Sequence, residues 1–593
     1  MSQQETKDMN QHFYRASAAD FMKIPGSPVA YWADQAVLDS FESEKLVGEI
    51  ASVKIGMGTG KNEIFVREWW EVGFHDIDFS LKSTDDLDKS SGRYFPYNKG
   101  GDFRLWYGNL QQVLWFDAAG RAAMDRMSGH RENGGWNYYF NEGITWSFIS
   151  SSKFGVRYLP HGSAFDVAGS TLFCDENNLR FILGFLSSNV CFDILSLLNP
   201  TLNYQAGNIK SLPIRLDSGI NSDVANNVER NIEISREDWD SYETSWGFRR
   251  LKVLESAGCS SSASDCYNSL RVTWNGWVEE MRENEINNNR LLIEIYGLNE
   301  KIIPDVPVRE ITLTCNPHYR YGGNRSEEEL EALLQCDTLR ELVSYAIGCM
   351  MGRYSLDRPG LILASQGETL QDYLRQIPSP RFTPDDDAIL PLTDQEWFAD
   401  DATNRFSEFV RVVWGDEHLQ ENLDFVAESL CLHAIKPKRG ESALDTIRRY
   451  LSTQFYKDHL RTYKKRPIYW LFSSGKHKAF ECLVYLHRYN EGTLARMRTE
   501  YVIPLSAKLN AYAEKLEQDK DASSSAAETK RLEKEIATLH KQQTELAEFD
   551  EKLRHYADQR ISLDLDDGVK VNYGKFGDLL AEVKAVTGEK PSD

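Results

Sequence analysis

The residues of this chain best suited to chemistry with a nucleic acid lie between Tyr97 and Arg157. Lys99 is followed by Gly100 and Gly101, which sets a cation beside backbone amides that no side chain shields, a combination suited to close approach by a phosphate. Arg104, Trp106 and Asn109 come next, and in an extended strand Arg104 and Trp106 would share a face. A guanidinium reads guanine through two parallel hydrogen bonds, a carboxamide reads adenine in the same way, and a planar aromatic stacks or wedges. Arg131, Asn133, Trp136, Asn137, Thr145, Trp146, Lys153 and Arg157 continue the mixture. For Trp106, Trp136 and Trp146 two readings stay open, buried core and base contact. Lys99, Arg104, Lys153 and Arg157 together favour contact with DNA.

Other stretches imitate catalytic motifs without completing them. Transfer of a methyl group to an adenine amine needs a loop of the form [N/D]-P-P-[Y/F], whose polar group holds the amine while the ring stacks on an extruded base. Asn316-Pro317-His318-Tyr319 follows the strand-like ITLTC, yet His318 stands where the second proline belongs, and a strand-terminating turn is expected. GMGTGKNE, from Gly56, looks like a phosphate-binding loop, but Ile55 and Asn62 occupy positions that require Gly and a hydroxyl. Its glycines predict a tight turn, with Lys61 or Asn62 still placed to touch a phosphate. No HExxH, GxSxG or EF-hand spacing is present, so neither a catalytic nor a metal site is expected.

A length of 593 residues with 41% hydrophobic and 27% charged content is enough for three or four domains with large cores. No run approaches the roughly 20 apolar residues that span a bilayer, and the polar start MSQQETKDMNQ lacks a signal core, so a cytoplasmic protein is expected. The nine cysteines are scattered singly, which predicts reduced, buried thiols. A net charge of −22 argues against a protein that coats nucleic acid, but residues 50–215 are roughly neutral, so the acidity lies outside them.

The elements that must position these residues form an α+β multidomain chain. Residues 1–49 read as a connector, with a helix-like stretch from Tyr31-Trp32 to near Leu46. Residues 50–216 are rich in aromatics, Gly and Asn, with short alternating runs such as 103–107 that predict strands. Leu179, Ile182, Leu183, Leu186 and Val190 predict one buried helix against them. Residues 217–304 read as a helical spacer with a bulky stripe from Trp239 to Leu251 and a Ser-rich break at 260–264. Residues 305–500 form an α-rich domain, with helices over 338–351, 419–435 and 442–464. Within 501–593, Leu505, Leu509, Tyr512 and Leu516, then Leu532, Ile536, Leu539, Leu546, Leu553 and Tyr556, have the spacing of a coiled helical hairpin, followed by a docking tail. A second basic concentration, 436–478, holds about twelve Lys and Arg against three acids, with Tyr450, Tyr456, Tyr463, Tyr469 and Trp470 interleaved. It reads either as a nucleic-acid track or as a solvated face.

GMGTGKNEIFVREWWEV, YFPYNKGGDFRLWYGN, FNEGITWSFISS and NPTLNYQAGNIKSLPI occur in an order that resembles the target-recognition domain of the PglX family, the adenine-specific DNA methyltransferases of type 1 BREX phage-defence systems. The layout is also similar to type IIG and IIL restriction-modification enzymes. YGLNE, GCMMGRYSLDRPG and KKRPIYWLFSSGKHKAF extend the resemblance more loosely to the C-terminal regions. It implies a mixed α/β target-recognition domain over 50–216, opened by GMGTGKNE and closed by NPTLNYQAGNIKSLPI, where Asn199, Asn203 and Gly207 would be turn residues. It further implies double-stranded DNA as partner and a separate N-terminal methyltransferase domain that carries the S-adenosylmethionine, with no cofactor in this chain. Other BREX components and phage DNA-mimic inhibitors are possible partners, and no membrane is implied. A protein-interaction scaffold and a self-sufficient methyltransferase with a degenerate NPHY loop are the rival readings.

Overall fold

The computed structural model describes residues 17–149, 153–199, 201, 203–216, 219–255 and 262–589. The secondary structure is mixed α and β, with long helices concentrated after residue 220. Two compact units emerge, and neither is continuous in sequence. The first takes the described parts of Met1–Val66, Ile77–Trp239 and Trp274–Gly322; the second takes Arg67–Asp76, Asp240–Thr273 and Gly323–Asp593.

In the first unit, strands Ser52–Lys54, Thr171–Phe173, Gly143–Trp146 and Val156–Leu159 form an antiparallel sheet in that order. A second sheet sets Tyr94–Asn98 parallel to Ala164–Phe165 and antiparallel to Gln112–Trp115. A core of Met57, Phe65, Phe95, Tyr97, Leu114, Phe116, Tyr139, Phe140, Phe165 and Phe173 fills the space against them. These aromatics dominate because each buries a large area for few frozen torsions. Where one helix is expected around 179–190 there are two, Glu176–Leu186 and Asn189–Leu198, because the Ser188 hydroxyl accepts from Cys191 N–H and caps a fresh start. All five of the apolar residues that announced this helix are buried. No single described helix is long and apolar enough to cross a membrane; this pair passes by length and composition only when taken together across a 75° bend.

Helices Asn221–Trp239 and Ala263–Tyr296 complete the unit, the second contributing from Trp274 onward. The Ser-rich break falls partly on 256–261, outside the described residues, and residues 240–251 form turns instead of continuing a helix. Residues 103–107 form no strand either. Trp106 and Asn109 have φ of 69° and 59°, incompatible with extended backbone, and Trp106 makes only an isolated bridge to Arg157. ITLTC is likewise irregular.

In the second unit, Glu327–Met350 starts with a capping box between Ser326 and Glu329 and buries Leu330, Leu334, Leu339, Leu342 and Ile347 among its apolar face. Leu419–His433 packs against it. Ala443–Tyr450 and Tyr456–Thr462 run on either side of the π-turn Leu451–Phe455. KKRPIYWLFSSGKHKAF supplies the strand Tyr469–Ser473, paired antiparallel with Glu481–Tyr485, which in turn pairs with Ile389–Pro391. Pro504 lies inside the continuous helical run Thr493–Ala522, just after the π-turn Met497–Val502. Ile503–Ala522 and Ala526–Asp558 lie against each other, with Tyr512 donating to Glu535 at 2.6 Å and Gln543 to Asn510 at 2.8 Å. The tail packs through Val569, Tyr573, Phe576 and Leu579.

Residues 67–76, which begin inside GMGTGKNEIFVREWWEV and run past its end, belong to this second unit, with Trp69 to Gly73 buried. The Trp69 and Trp70 indoles donate to the Thr244 and Arg466 carbonyls at 2.8 and 3.0 Å, and the buried Glu71 carboxylate accepts from Val569 N–H at 3.1 Å. Tyr450, Tyr456, Tyr463, Tyr469 and Trp470 are buried too. They cannot serve as a stacking track, and the 436–478 concentration separates into an aromatic core and a charged outer face.

Candidate nucleic-acid interface

The DFRLWYGN motif of the first unit is fastened on every side. Arg104 is 3% exposed; its Nη2 donates to Asp238 at 2.7 Å, Nε to the Tyr107 carbonyl at 2.7 Å and Nη1 to the Thr314 hydroxyl at 2.9 Å. Its guanidinium also lies over the Trp239 ring. Asp238 accepts in addition from the Thr314 and Cys315 amides at 2.7 and 2.8 Å, so one buried carboxylate ties the motif, the helix Asn221–Trp239 and the 312–315 loop together. Leu105 N–H donates to the Thr312 hydroxyl, and Tyr319 OH to the Phe103 carbonyl. The Trp106 indole donates to Glu285 at 2.7 Å. Burial pushes the Glu285 carboxyl up to about 8, so it is protonated at neutral pH.

NPHY belongs to this fastening. Asn316 is 1% exposed, caps the short helix Pro317–Tyr321 by accepting from His318 N–H, and donates to the Val308 and Ile311 carbonyls. Both Nδ2 hydrogens are spent and the side chain is buried, so in this conformation its amide is out of reach of a substrate amine.

Several residues expected to meet DNA are therefore internal. Arg104, Trp106, Thr145 and Arg157 are at most 3% exposed, and a base edge cannot reach them in this conformation. Among the described residues, Arg157 makes only long hydrogen bonds, 3.4–3.5 Å, to the Arg104 and Gly155 carbonyls and the Ser147 hydroxyl, and its Nε has no partner. Burial and then the neighbouring Arg104 hold it down at about 10, still charged at neutral pH. Lys153 is paired with Glu310. Asn109, at positive φ, donates to the Asp102 carbonyl at 2.8 Å and closes its own loop. Trp146 is core, its indole donating to the Tyr204 carbonyl.

A different group remains at the surface. Lys99 is half-buried and Gly101 exposed, over a base made by Asn98, whose Nδ2 donates to the Thr145 hydroxyl at 2.6 Å and the Gly169 carbonyl at 3.2 Å. Gly100 and Gly101 are at φ 78° and 141°; a Cβ would stand 2.8 Å from the Ala168 carbonyl at Gly100 and 2.7 Å from the Asn109 side chain at Gly101. Only glycine fits both the angle and the space.

On the other side of the single turn Val167–Gly169, the Gly58–Thr59 strand pairs antiparallel with His130–Arg131. Met57 bridges to Asp166, and Tyr97 OH bonds to both. Gly60, Lys61, Asn62, Arg131 and Asn133 are exposed here. Gly60, at φ 80°, makes the tight turn that GMGTGKNE predicts. Asn133 and Gly134, both at positive φ, occupy the centre of a turn closed by Gly135 N–H to the Glu132 carbonyl at 3.1 Å, and Asn133 donates to the Gly56 carbonyl at 2.8 Å. Trp136 is half-buried against Phe116 and Tyr139. Asn199 is a turn residue as expected, accepting from Thr201 N–H at the end of Asn189–Leu198, whereas Gly207 lies within the helix Ala206–Lys210.

Over 579 residues, 96% of its length, the chain is 47% identical to an adenine-specific methyltransferase named BrxX from Escherichia coli O9:H4 (strain HS). Its homologues are adenine-specific methyltransferases. A second, named PglX, from Lacticaseibacillus casei (strain Zhang), is 38% identical over 587 residues, 95% of the chain. Both names are those of adenine-specific methyltransferases, the class that the motifs resemble. The chain spans somewhat under half of these relatives, 46% of BrxX and 45% of PglX. No protein-family model matches it.

Asp238, Glu285 and Asn98 hold the site and are absent from the sequence-based candidates. The helices did carry a signal. Val224, Val228, Asn231, Ser235 and Asp238 follow a three- and four-residue spacing, as do Trp274, Val278, Met281, Glu285, Asn288 and Leu292, so the polar members of each series stand in the buried stripe.

Proposed function

We propose that this chain is the target-recognition, C-terminal part of a BREX adenine-specific DNA methyltransferase, gripping duplex DNA while a separate catalytic domain transfers the methyl group from S-adenosylmethionine. The observation that carries this reading is the strand pair Gly58–Thr59/His130–Arg131, which sets the exposed Lys61 and Arg131 beside the Lys99–Gly101 loop. A two-stranded ribbon is narrow enough to enter the major groove. Arg131 is the base reader in this arrangement, and Lys99, Gly101 and Lys61 meet phosphates, which position the protein without reading sequence. The homologues supply the chemistry, since both are adenine-specific methyltransferases. Methylation of host DNA, with other BREX components as partners, follows from the same reading.

Titration of the chain against a pool of random duplexes at two salt concentrations, with sequencing of the bound fraction, tests it. One enriched short motif and an affinity that falls as salt rises are expected. Retention of DNA with no sequence enrichment, or no retention, would overturn it.

A further inference from the structure

Beneath the Gly58–Thr59/His130–Arg131 strand pair lies a cavity of about 150 Å³. A cavity of about this volume in another protein core takes up one benzene, so the space suits a single ring system, smaller than a nucleotide. Its accessible wall is the half-buried Trp136; Phe116 and Tyr139 gather behind it with ring centroids 6.0–6.3 Å apart, and together with the buried Met57 and Met124 they form a polarisable backing that is at most 3% exposed. Such surfaces stack any planar heterocycle, because every base has a π-face.

The polar groups narrow the chemistry. Arg121 is engaged by Asp88 and the Phe116 carbonyl, so it is no free receptor for an anion. Asp125 and Glu132 also line the space and are exposed, with His130 Nε2 3.6 Å from Asp125 and Nδ1 2.9 Å from the Gly58 carbonyl. Two carboxylates repel a phosphate or an acid and accept hydrogen bonds from an exocyclic amine.

We propose that this cavity receives one unstacked nucleobase bearing an exocyclic amino group, stacked on the half-buried Trp136 with its amine toward Asp125 and Glu132. The proposal rests on the DNA-recognition reading, because the cavity is useful only if Arg131 and Lys61, on the adjoining segments, hold the strand from which the base comes. Adenine, cytosine and guanine carry the amine, and cytosine, a single ring, also matches the volume; thymine lacks the amine. Extruding a base costs a few kcal/mol, least at a mismatch, so binding should favour duplexes in which the base concerned is already mispaired.

The test separates the cavity from the recognition reading. Saturation-transfer NMR on the full chain, with deoxyadenosine, deoxycytidine and deoxythymidine as probes, reports weak contact directly. The two amino-bearing nucleosides should give base-proton signals, and deoxythymidine about fivefold less. Trp136→Ala should reduce those signals about tenfold. The double variant Asp125→Ala/Glu132→Ala, at two exposed positions, removes both acceptors and should erase the preference over deoxythymidine. No signal from any nucleoside, equal signals from all three, or signals unchanged in the double variant would overturn the proposal. Loss of nucleoside signals while the random-duplex pool still yields a motif would overturn the cavity site alone. Nucleoside contact with no duplex retention would leave the cavity site standing and remove the recognition reading.

Discussion

Residues 103–109 and the paired segments 56–64 and 125–137 look alike as sequence, each mixing Gly, Asn, a tryptophan or other aromatic, and a cation, yet the fold uses them in opposite ways. The first is locked: Arg104 spends its donors on Asp238, Tyr107 and Thr314, and Trp106 on Glu285. The second is open, with Lys61 and Arg131 at the surface above a ring-sized cavity. Residue type alone therefore does not distinguish a keystone from a reader. The difference lies in what stands opposite: two long helices bring polar residues on their buried stripes to the first region, and among the described residues no such stripe covers the second.

The sharpest way to break this comparison is Arg104→Ala. It leaves Asp238 buried without its cation and should destabilise the first unit by about 3–5 kcal/mol, measured by chemical denaturation. A DNA-binding defect with unchanged stability would mean that residues 103–109 face the nucleic acid after all. Arg104→Lys should not rescue, because a single ammonium cannot make the three-way set of bonds.

Glu285 tests the same locked region through pH. Its folded value of about 8 lies above the unfolded carboxyl range, so the folded state holds a proton that the unfolded state has lost. Stability should accordingly fall as pH rises from about 4.5 to about 8 and then level off. Glu285→Gln keeps an acceptor for Trp106 and should flatten this slope, a difference on the order of a few kcal/mol at pH 8. Parallel wild-type and variant stability curves against pH would show that the carboxyl is ionised in the fold.

Smaller effects are expected in the open region, and they should appear in binding with the melting temperature unmoved. Arg131→Ala should cost about 1–3 kcal/mol of duplex affinity and relax preference at one base pair, read from the enriched motif. Lys99→Ala should weaken all duplexes alike and lower the salt slope by about one. An unaltered motif in Arg131→Ala would move the reading residue elsewhere on the strand pair.

Local patterns were legible where local forces decide. The buried set from Leu179 to Val190, the helices built on 338–351, 419–435 and 442–464, and the Gly60 turn all follow from periodicity, capping and backbone freedom. The strand expected at 103–107 was misread because an alternating apolar run buried on both sides does not need a ladder once its amides and side chains find partners elsewhere. The aromatics of 436–478 were ambiguous for a related reason, since a tyrosine core and a stacking surface have the same composition.

By itself the sequence determined the resemblance to adenine-specific methyltransferases, the mixed α and β character and most helix positions, because these depend on residue order and short-range periodicity. Tertiary structure alone decided that Arg104 meets Asp238 from 134 positions away, that Asn316 is a cap, and that residues 67–76 belong to a unit otherwise built from residues beyond 239. It also decided which cations stay at the surface. Burial is a property of the groups brought opposite a residue, and long-range partners leave no trace in its neighbours along the chain.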